Sequence, residues 1–249
     1  MDTIISLQNV GKVFEQTQNY VEALVDISFD VRENEFLSVL GPSGCGKSTL
    51  LKIIAGLDGD YTGEARVMGR DVRETLPSVC LMHQKDLLLP WRSVLDNVAL
   101  PLELKGVDKK QREQTVLEYL EEFGLKGFEN MYPKQLSGGM RQRAALLRMF
   151  LSEGDVYLMD EPFAALDALT RFKMREWLLD IWHRHRKAVV FVTHDIEEAV
   201  FLSDRILVLS ERPATVAQVF EVNLSRPRSR DMLEDTAFLK LRRAVQDAL

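Results

Sequence analysis

The chain has 249 residues, 46% of them hydrophobic, which is enough for one large domain with a sizeable core. Its formal charge of −6 argues against a basic face that binds nucleic acid, and its two cysteines suit a reducing compartment rather than a disulfide framework. No basic leader and no run of about 18 apolar residues are present, so we expect neither a signal peptide nor a membrane span.

The N-terminal part of the chain predicts short strands. Residues 4–10 and 26–31 alternate between apolar and polar side chains, and 65–68 lie between two glycines, which predicts a small antiparallel sheet. Phe14 and Tyr20 fall in the expected connection between the first two strands. Each is either a ring that stacks on a nucleotide base or an ordinary aromatic residue of the core or surface.

Residues 41–49 form the strongest motif, because they match the Gly-x-x-x-x-Gly-Lys-Ser pattern of a phosphate-binding loop. The apolar run at 36–40 predicts the buried strand that precedes such a loop, and 47–55 predicts the helix that follows it. This order of strand, loop and helix argues against a chance match. We expect nucleotide contacts from Gly41, Pro42, Ser43, Gly44, Cys45, Gly46, Lys47, Ser48 and Thr49.

The residue types in this loop suit a triphosphate. Glycines let the backbone come close to the phosphates, and the helix N-terminus directs N–H groups at the anion. Lys47 supplies a charge for the β- and γ-phosphates, and the Ser48 hydroxyl is a ligand for Mg²⁺. Cys45 lies beside Lys47 and the helix N-terminus, which favours a reactive thiolate; the alternative is a small residue that is merely tolerated there.

Residues 85–153 predict a mostly helical insert, which follows a strand at 79–82 that ends at His83 and Gln84. Helical patterns occupy 96–104, 111–123 and 141–151. A second possible anion site precedes the last of these helices, since a helix N-terminus binds anions. It consists of Ser137, Gly138 and Gly139.

An apolar run follows Gln84 directly. We expect Leu88, Leu89 and Trp91 to lie outside the core and to be covered by a partner, because such a surface is unusual on an isolated protein. The alternative is that these side chains pack within the helical insert.

The second half of the chain predicts three further buried strands, at 155–159, 188–193 and 205–209. The first of them runs into Asp160 and Glu161, and ligands collect at the C-terminal ends of parallel strands. Asp160 is expected to hold Mg²⁺ through its water shell, and Glu161 to polarise an attacking water. A solvated turn is the alternative for the two acids.

His194 follows the second of these strands, where we expect a phosphate contact. A helix is predicted from 170 to 184, and its His183 and His185 point apart, so they do not form a metal site. A strand at 215–222 and a helix capped by Asp235 complete the chain.

Together these motifs resemble the ATPase subunit of an ATP-binding-cassette transporter over nearly the whole chain. The Ser-Gly-Gly signature is the discriminating element, because other phosphate-loop proteins lack it. The matching elements, in the family's order, are the 41–49 loop, Gln84, Leu136-Ser137-Gly138-Gly139, Asp160-Glu161, Ala165-Leu166-Asp167 and His194.

The resemblance implies an α/β fold: a phosphate-loop NTPase core with a mostly parallel sheet, a small N-terminal antiparallel β subdomain and a helical subdomain. On this basis 1–84 and 154–210 form the nucleotide-binding core with its β subdomain. Residues 85–153 form the helical subdomain, and 211–249 a short C-terminal extension.

The resemblance also implies roles for individual residues. Glu161 is the general base, His194 contacts the γ-phosphate, and Gln84 links metal and water to a transmembrane partner. Phe14, rather than Tyr20, takes the base-stacking position. The Mg²⁺ ligands are Ser48, Gln84 and Asp160.

The implied assembly is a head-to-tail dimer of two copies, in which Ser137, Gly138 and Gly139 of each copy close the ATP of the other and Asp167 lies at the interface. Met140 stands where the family most often has Gln, so a polar contact is lost there and we expect differently tuned turnover. Further implied partners are transmembrane permease subunits and a periplasmic or extracellular solute-binding protein, with no nucleic acid. The expected location is peripheral, on the cytoplasmic face of the inner membrane.

Several segments, together with Met140, resemble importer ATPases for nitrate, sulfonate, taurine and similar solutes. An exporter ATPase is the alternative within the class. A soluble cassette ATPase of DNA repair or translation and a nucleotide-sensing module without hydrolysis are alternatives outside it, and Glu161 and His194 argue against the sensing module. The importer-like segments are 89–94, 160–163 and 166–171.

Overall fold

Two sheets and eight helices organise residues 2–16, 19–74 and 78–249, which are the residues that the computed structural model describes. The strands are β1 (Thr3–Gln16), β2 (Asn19–Arg32), β3 (Phe36–Leu40), β4 (Thr62–Val67), β5 (Arg70–Asp71), β6 (Val79–Met82), β7 (Val156–Asp160), β8 (Ala188–Val192), β9 (Arg205–Leu209) and β10 (Val216–Glu221). The helices are α1 (Lys47–Ile54), α2 (Val94–Val98), α3 (Leu100–Leu104), α4 (Lys109–Leu120), α5 (Gly138–Phe150), α6 (Ala168–His185), α7 (Ile196–Leu202) and α8 (Thr236–Asp247).

The larger sheet has six strands in the order β10-β9-β3-β8-β7-β6, and all of its neighbours are parallel except the edge pair β9–β10. Every residue of β3, β8 and β9 is buried, as continuous apolar runs predict for strands covered on both faces. Because β3, β8 and β7 are neighbours, the three segments that follow them emerge at one edge of the sheet. That edge carries the predicted phosphate loop, Glu161 and His194.

The smaller sheet is antiparallel, with the order β2-β1-β4-β5. Here the predicted strands at 4–10 and 26–31 are too short, since β1 and β2 form one long hairpin. Phe14 and Tyr20 therefore lie in paired strands and not in a connection. The sequence pattern missed this because register shifts around Val10 and Lys12 interrupt the alternation along β1.

The helical segment follows the predicted order with shifted bounds. The helix expected at 96–104 is two short helices, α2 and α3, with Pro101 in the first turn of α3, where a missing N–H leaves no carbonyl unpaired. Ser93 caps α2 by accepting from the N–H of Asp96 at 3.1 Å. Within the described residues, no helix is both long and apolar enough to cross a membrane.

Two hydrophobic clusters lie on opposite faces of the larger sheet, and β3 contributes to both. Phe36 and Leu40 face the cluster that includes α5, α6 and α8, whereas Leu37 and Val39 face the cluster shared with α1 and the smaller sheet. This two-residue alternation fixes β3 between two cores. The loop that follows β3 is consequently held from both sides.

The C-terminal residues are tied to the rest of the molecule. β10 pairs with β9 as an antiparallel edge strand, so a strand from the predicted extension completes the larger sheet. Asp235 caps α8 by accepting from the N–H of Ala237 at 2.7 Å, as predicted. Phe238 and Val245 of that helix are buried in the first cluster.

Candidate nucleotide-binding and catalytic site

The predicted phosphate loop connects β3 to α1 in a conformation that requires glycine. Gly46 has φ of 124°, and a Cβ placed there would lie 2.7 Å from Cδ2 of Leu24. Both the backbone angle and the close approach of β2 therefore exclude other residues. Gly46 is also the residue from which α1 begins, so the free N–H groups of the first turn point towards the loop.

Lys47 is buried at the centre of this loop. Its Nζ donates to the carbonyl oxygens of Gly41, at 2.7 Å, and Pro42, at 2.8 Å. An ammonium group has three N–H donors, so one remains for a phosphate oxygen even while both carbonyls stay bonded. The side chain thus holds the loop in shape and brings a full positive charge to it.

Ser48 and Asp160 meet across the sheet edge. The Ser48 hydroxyl lies near the Asp160 carboxylate and favours its charged form. Burial raises the pKa of Asp160, and the neighbouring Glu161 raises it further, while the Ser48 hydrogen bond and the charge of Lys47 oppose the shift. A carboxylate that burial disfavours in its charged form gains most from a nearby cation.

This oxygen pair fits Mg²⁺ better than it fits a metal held by the protein alone. In the part of the chain that is described, no group of three or more His, Cys, Asp or Glu side chains could hold an ion. Mg²⁺ commonly takes one or two protein oxygens and completes its shell with water and phosphate oxygens. Ser48 and Asp160 are suitable donors for that arrangement.

Glu161 and His194 are brought together although 33 residues separate them. Nδ1 of His194 lies 3.1 Å from Oε2 of Glu161. The N–H of Glu161 donates to the carbonyl of Val192 at 2.9 Å, which continues the β7–β8 ladder beyond the strand and fixes the residue at φ of 46°. With its proton on Nδ1, the imidazole orients the carboxylate and leaves Nε2 free to contact a ligand.

A buried ion cluster supports the segment that carries His194, and the sequence motifs did not reveal it. Arg175 donates to Asp195 at 2.7 Å, to Glu197 at 2.9 Å and to Glu198 at 3.2 Å. Burial raises the pKa of Glu198, whereas Arg175 and the Thr193 hydroxyl, 2.6 Å away, favour its charged form. In the sequence, the only sign of this cluster is an arginine within α6 and several acidic residues around the start of α7.

The signature residues form the N-terminus of α5. The Ser137 hydroxyl accepts from the N–H of Met140 at 3.3 Å, and Ser137 itself is exposed. Gly139 packs so closely that a Cβ there would lie 3.0 Å from Cγ2 of Thr170. The Met140 side chain, which replaces the family's usual Gln, packs against the first hydrophobic cluster.

Phe14 and Gln84 both have exposed side chains. Phe14 is 38% exposed, with the Lys12 ammonium 5.0 Å from its ring centroid, and Tyr20 is 78% exposed. Gln84 follows β6 two residues after the strand ends, beside the end of β7. Both side chains are therefore accessible to a ligand.

Cys45 does not have the surroundings that were expected of a reactive thiol. Its side chain is only 1% exposed, and its Sγ packs against Gly41, where a Cβ would come within 3.0 Å. A reagent has no access to a sulfur that fills the inside of the loop. Any contact between Cys45 and a nucleotide must come from its backbone.

The apolar run after Gln84 is divided between core and surface. Leu88 is buried, so the expectation that it lies outside the core is wrong, whereas Leu87 and Trp91 are 53% and 71% exposed. Arg148 donates to the carbonyls of Leu87, at 2.9 Å, and Asp86, at 2.8 Å, and so fixes this turn. Leu87 borders a groove of about 300 Å³ between β6 and the helices α3 and α5.

Comparison with known proteins gives a consistent result. A model of the ABC transporter family matches residues 24–164, more than half of the chain. SsuB of Bacillus cereus, an aliphatic sulfonates import ATP-binding protein, is 43% identical over 241 residues, which cover 97% of this chain and 94% of that protein. TauB of Rhizobium johnstonii, a taurine import ATP-binding protein, is 47% identical over 206 residues, which cover 83% and 79%.

Solved structures agree with the fold. MJ0796, described as a dimeric bacterial ABC transporter cassette, superposes with a TM-score of 0.79 at 32% identity, over 89% of this chain and 100% of that one. The same cassette in a post-hydrolysis state, bound to ADP and Pi, superposes with a TM-score of 0.78 at 31% identity over the same shares. This likeness confirms the predicted α/β phosphate-loop architecture with its N-terminal antiparallel sheet.

Proposed function

The chain belongs to the ABC transporter family and is an ATPase, and on that premise we propose that it powers the uptake of a sulfonate, taurine or a similar small solute. One observation carries the catalytic part of the proposal: the phosphate loop and the Glu161–His194 pair lie at the same edge of the larger sheet. The names of the two relatives carry the importer and solute part.

In this proposal ATP binds along the loop of residues 41–49. The first turn of α1 donates backbone N–H groups to the phosphates, and Lys47 adds its remaining N–H and its charge. Mg²⁺, held by Ser48, Asp160 and Gln84, supplies charge neutralisation on the phosphate oxygens when it is bound. Phe14 stacks on the base, because it is exposed and fixed in a paired strand.

Glu161 then takes a proton from the attacking water, and its position is fixed at two points. The backbone hydrogen bond to Val192 holds the residue, and the imidazole of His194 holds the carboxylate. Nε2 of His194 contacts the γ-phosphate, so that the base and the phosphate are aligned through one ring. The ion cluster around Arg175 keeps His194 in place.

The active assembly in this proposal is a dimer of two copies packed head to tail. Each chain has one phosphate loop and one signature, and MJ0796 is described as dimeric. Ser137, Gly138 and Gly139 of one copy face the ATP held by the other, because α5 presents an exposed N-terminus there. Nucleotide closes the dimer, and hydrolysis opens it.

The dimer docks on transmembrane permease subunits at the cytoplasmic face of the inner membrane, and a periplasmic or extracellular solute-binding protein delivers the solute. Leu87 and Trp91, with the adjacent groove, provide an exposed apolar surface next to Gln84. Movement at Gln84 during hydrolysis therefore reaches the membrane partner through a few residues. Trp91 is the residue type that most often anchors an interface.

The experiment is transport by the chain reconstituted with its permease and binding protein in vesicles. ATP-dependent uptake of taurine or an alkanesulfonate is expected, with nitrate as a comparison solute and the Glu161→Gln chain as the inactive control. Efflux in place of uptake would identify an exporter. An ATPase rate that is the same with and without the permease would point to a cassette ATPase that does not act in transport.

A variant tests the docking surface in the same system. Trp91→Ala should leave the isolated chain folded and able to bind ATP, while it lowers uptake by about tenfold. Leu57→Ala, which removes an exposed apolar side chain that does not line the groove, is the matched control and should leave uptake unchanged. Normal uptake by Trp91→Ala would place the docking surface elsewhere.

A further inference from the structure

The segment from residue 209 to 214 lies outside every motif discussed above, yet it runs alongside the phosphate loop. At its start, the carbonyl oxygen of Leu209 lies 3.1 Å from where a Cβ of Gly41 would stand. At its end, Ala214 exchanges backbone hydrogen bonds with β2: its N–H donates to Ala23 at 3.0 Å, and its carbonyl accepts from Val25 at 2.9 Å. The segment therefore borders the loop along its length.

Arg212, in the middle of this segment, contacts the tip of the loop. Its Nη2 donates to the carbonyl oxygen of Gly44. Gly44 has φ of 78°, and a Cβ built on it would meet no atom within 4 Å, so the tip has open space on that side. The hydrogen bond from Arg212 links the tip to a segment outside the loop, while within the loop the N–H of Cys45 donates to the carbonyl of Pro42 at 3.3 Å.

The turn that presents Arg212 is itself closed by hydrogen bonds. The N–H of Ser210 donates to the carbonyl of Thr215 at 3.0 Å, and the Ser210 hydroxyl accepts from the N–H of Thr215 at 3.0 Å. The same hydroxyl donates to the carbonyl of Glu211 at 3.0 Å. A guanidinium on a turn that hydrogen bonds hold rigid can fix the carbonyl to which it donates. On a flexible turn, the guanidinium would instead move together with that carbonyl.

The loop carbonyls are divided between two cations. Lys47 holds the carbonyls of Gly41 and Pro42, and Arg212 holds that of Gly44. A bound triphosphate takes the remaining N–H of Lys47, so one ammonium then serves both the loop and the phosphates. Arg212 approaches from the outer side and keeps its carbonyl while the phosphates draw on Lys47.

We infer that Arg212 is a positioning residue that holds the phosphate loop in its nucleotide-binding shape through the Gly44 carbonyl. A planar peptide whose carbonyl is held has its neighbouring N–H fixed as well. Without this contact, a loop with three glycines must be ordered when the nucleotide binds, which weakens binding. Because the loop cradles phosphates common to ATP and ADP, affinity for both should fall and the chemical step should not change.

This inference rests on the proposed nucleotide site, and Arg212→Ala tests it. Dissociation constants for ATP and ADP, measured with the purified chain, should each rise about tenfold. KM for ATP should rise by a similar factor, with kcat within about twofold of the original value. Arg212→Lys keeps a positively charged N–H donor group and should recover part of the affinity.

Arg243→Ala is the matched control, because it removes the same charge from an exposed position on α8. It should leave both dissociation constants unchanged. Thermal unfolding without nucleotide checks that each variant is folded, and Arg212→Gln replaces Arg212→Ala if the latter unfolds early. A measurable ADP affinity of the original chain establishes the site before any variant is compared.

Unchanged ATP and ADP affinities in Arg212→Ala would overturn the inference, or a fall in kcat at unchanged KM would do so. The second would mean that the arginine acts in hydrolysis or in dimer closure and not on the loop. Equal weakening by Arg243→Ala would also overturn it, because the effect would then be one of net charge. If the original chain bound no nucleotide, the proposed site itself would be wrong.

Discussion

Two helix N-termini in this chain carry the glycines of an anion site, and their surroundings differ. At the start of α1, Lys47 is buried within the loop and Ser48 pairs with Asp160. At the start of α5, Ser137 is exposed, and its hydroxyl caps its own helix. The nearby Arg141 donates to the carbonyl of Leu136 and pairs with an aspartate, so its charge is already engaged.

This difference shows which of the two sites is complete within one chain. The first combines a cation, a hydroxyl and a carboxylate around its backbone donors. The second offers backbone donors and one small hydroxyl, which suits the proposed role of closing over a phosphate that another copy holds. We therefore expect changes at the first site to abolish nucleotide binding, and changes at the second to spare binding and reduce turnover.

Lys47→Ala breaks the first site with the largest expected effect. Loss of a buried ammonium that bonds two loop carbonyls and is proposed to bond the phosphates should weaken ATP binding by about 100-fold or more. The measurement is ATP affinity of the purified chain by calorimetry, with Lys52→Ala on the same helix as a control. An unchanged ATP affinity would mean that the loop is not part of the nucleotide site.

Glu161→Gln separates binding from chemistry at the first site. The amide keeps the shape but cannot take a proton, so kcat should fall about 100- to 10,000-fold while ATP affinity stays within a few fold. ATP should then accumulate the closed dimer, which analytical ultracentrifugation detects. A chain that remains monomeric with ATP and Mg²⁺ would contradict both the base and the head-to-tail dimer.

Ser137→Arg breaks the second site by placing a bulky side chain at the exposed N-terminus of α5. ATP affinity of the isolated chain should change less than twofold, whereas turnover should fall about 10- to 100-fold because the dimer cannot close. Ser137→Ala, which removes only the helix cap, should have a smaller effect. Lost ATP affinity in Ser137→Arg would mean that both N-termini serve one nucleotide.

Mixing the Lys47→Ala and Ser137→Arg variants tests whether the two sites act on the same nucleotide across two chains. A head-to-tail dimer of Lys47→Ala with Ser137→Arg contains one site with both defects and one site with neither. Turnover should therefore recover in the mixture, up to about one quarter of the original rate if pairing is random and one intact site suffices. No recovery would show that the two N-termini act within the same chain or that both sites must be intact.

Asp160→Asn has the smallest expected effect of these changes. It should raise the stability of the nucleotide-free chain even though it should lower the activity. Since burial raises the pKa of Asp160, the folded chain keeps this proton to higher pH than the unfolded chain does. Stability therefore falls as pH rises from the unfolded to the folded pKa, and the charged group destabilises the nucleotide-free fold at neutral pH. The isosteric amide should raise the unfolding midpoint by about 2 °C at pH 7.

This gain in the unfolding midpoint should shrink as the pH falls through the ordinary pKa range of aspartate, because the folded and the unfolded chain then both carry the proton on Asp160. Asp231→Asn, at an exposed position, is the control and should change the midpoint little. An unchanged or lower midpoint in Asp160→Asn would mean that the Ser48 hydrogen bond and Lys47 outweigh the burial of the carboxylate.

Much of the fold was predictable because its signals are local. Apolar runs identified the buried strands, and the cap at Asp235 marked the start of α8. Errors occurred where local pattern and tertiary environment diverge. Register shifts hid the length of β1, and a run of three leucines gave no sign that Leu88 packs inward while Leu87 is exposed.

The phosphate loop could be identified from residue types and spacing alone, because contacts within a few positions set its conformation. Which distant residues contact the loop depends on how the strands and helices pack. The order β3-β8-β7 brings His194 to Glu161, and the return of the chain after β9 brings Arg212 to Gly44. Contacts that span 33 and 168 residues depend on strand order and packing, and no local pattern encodes them.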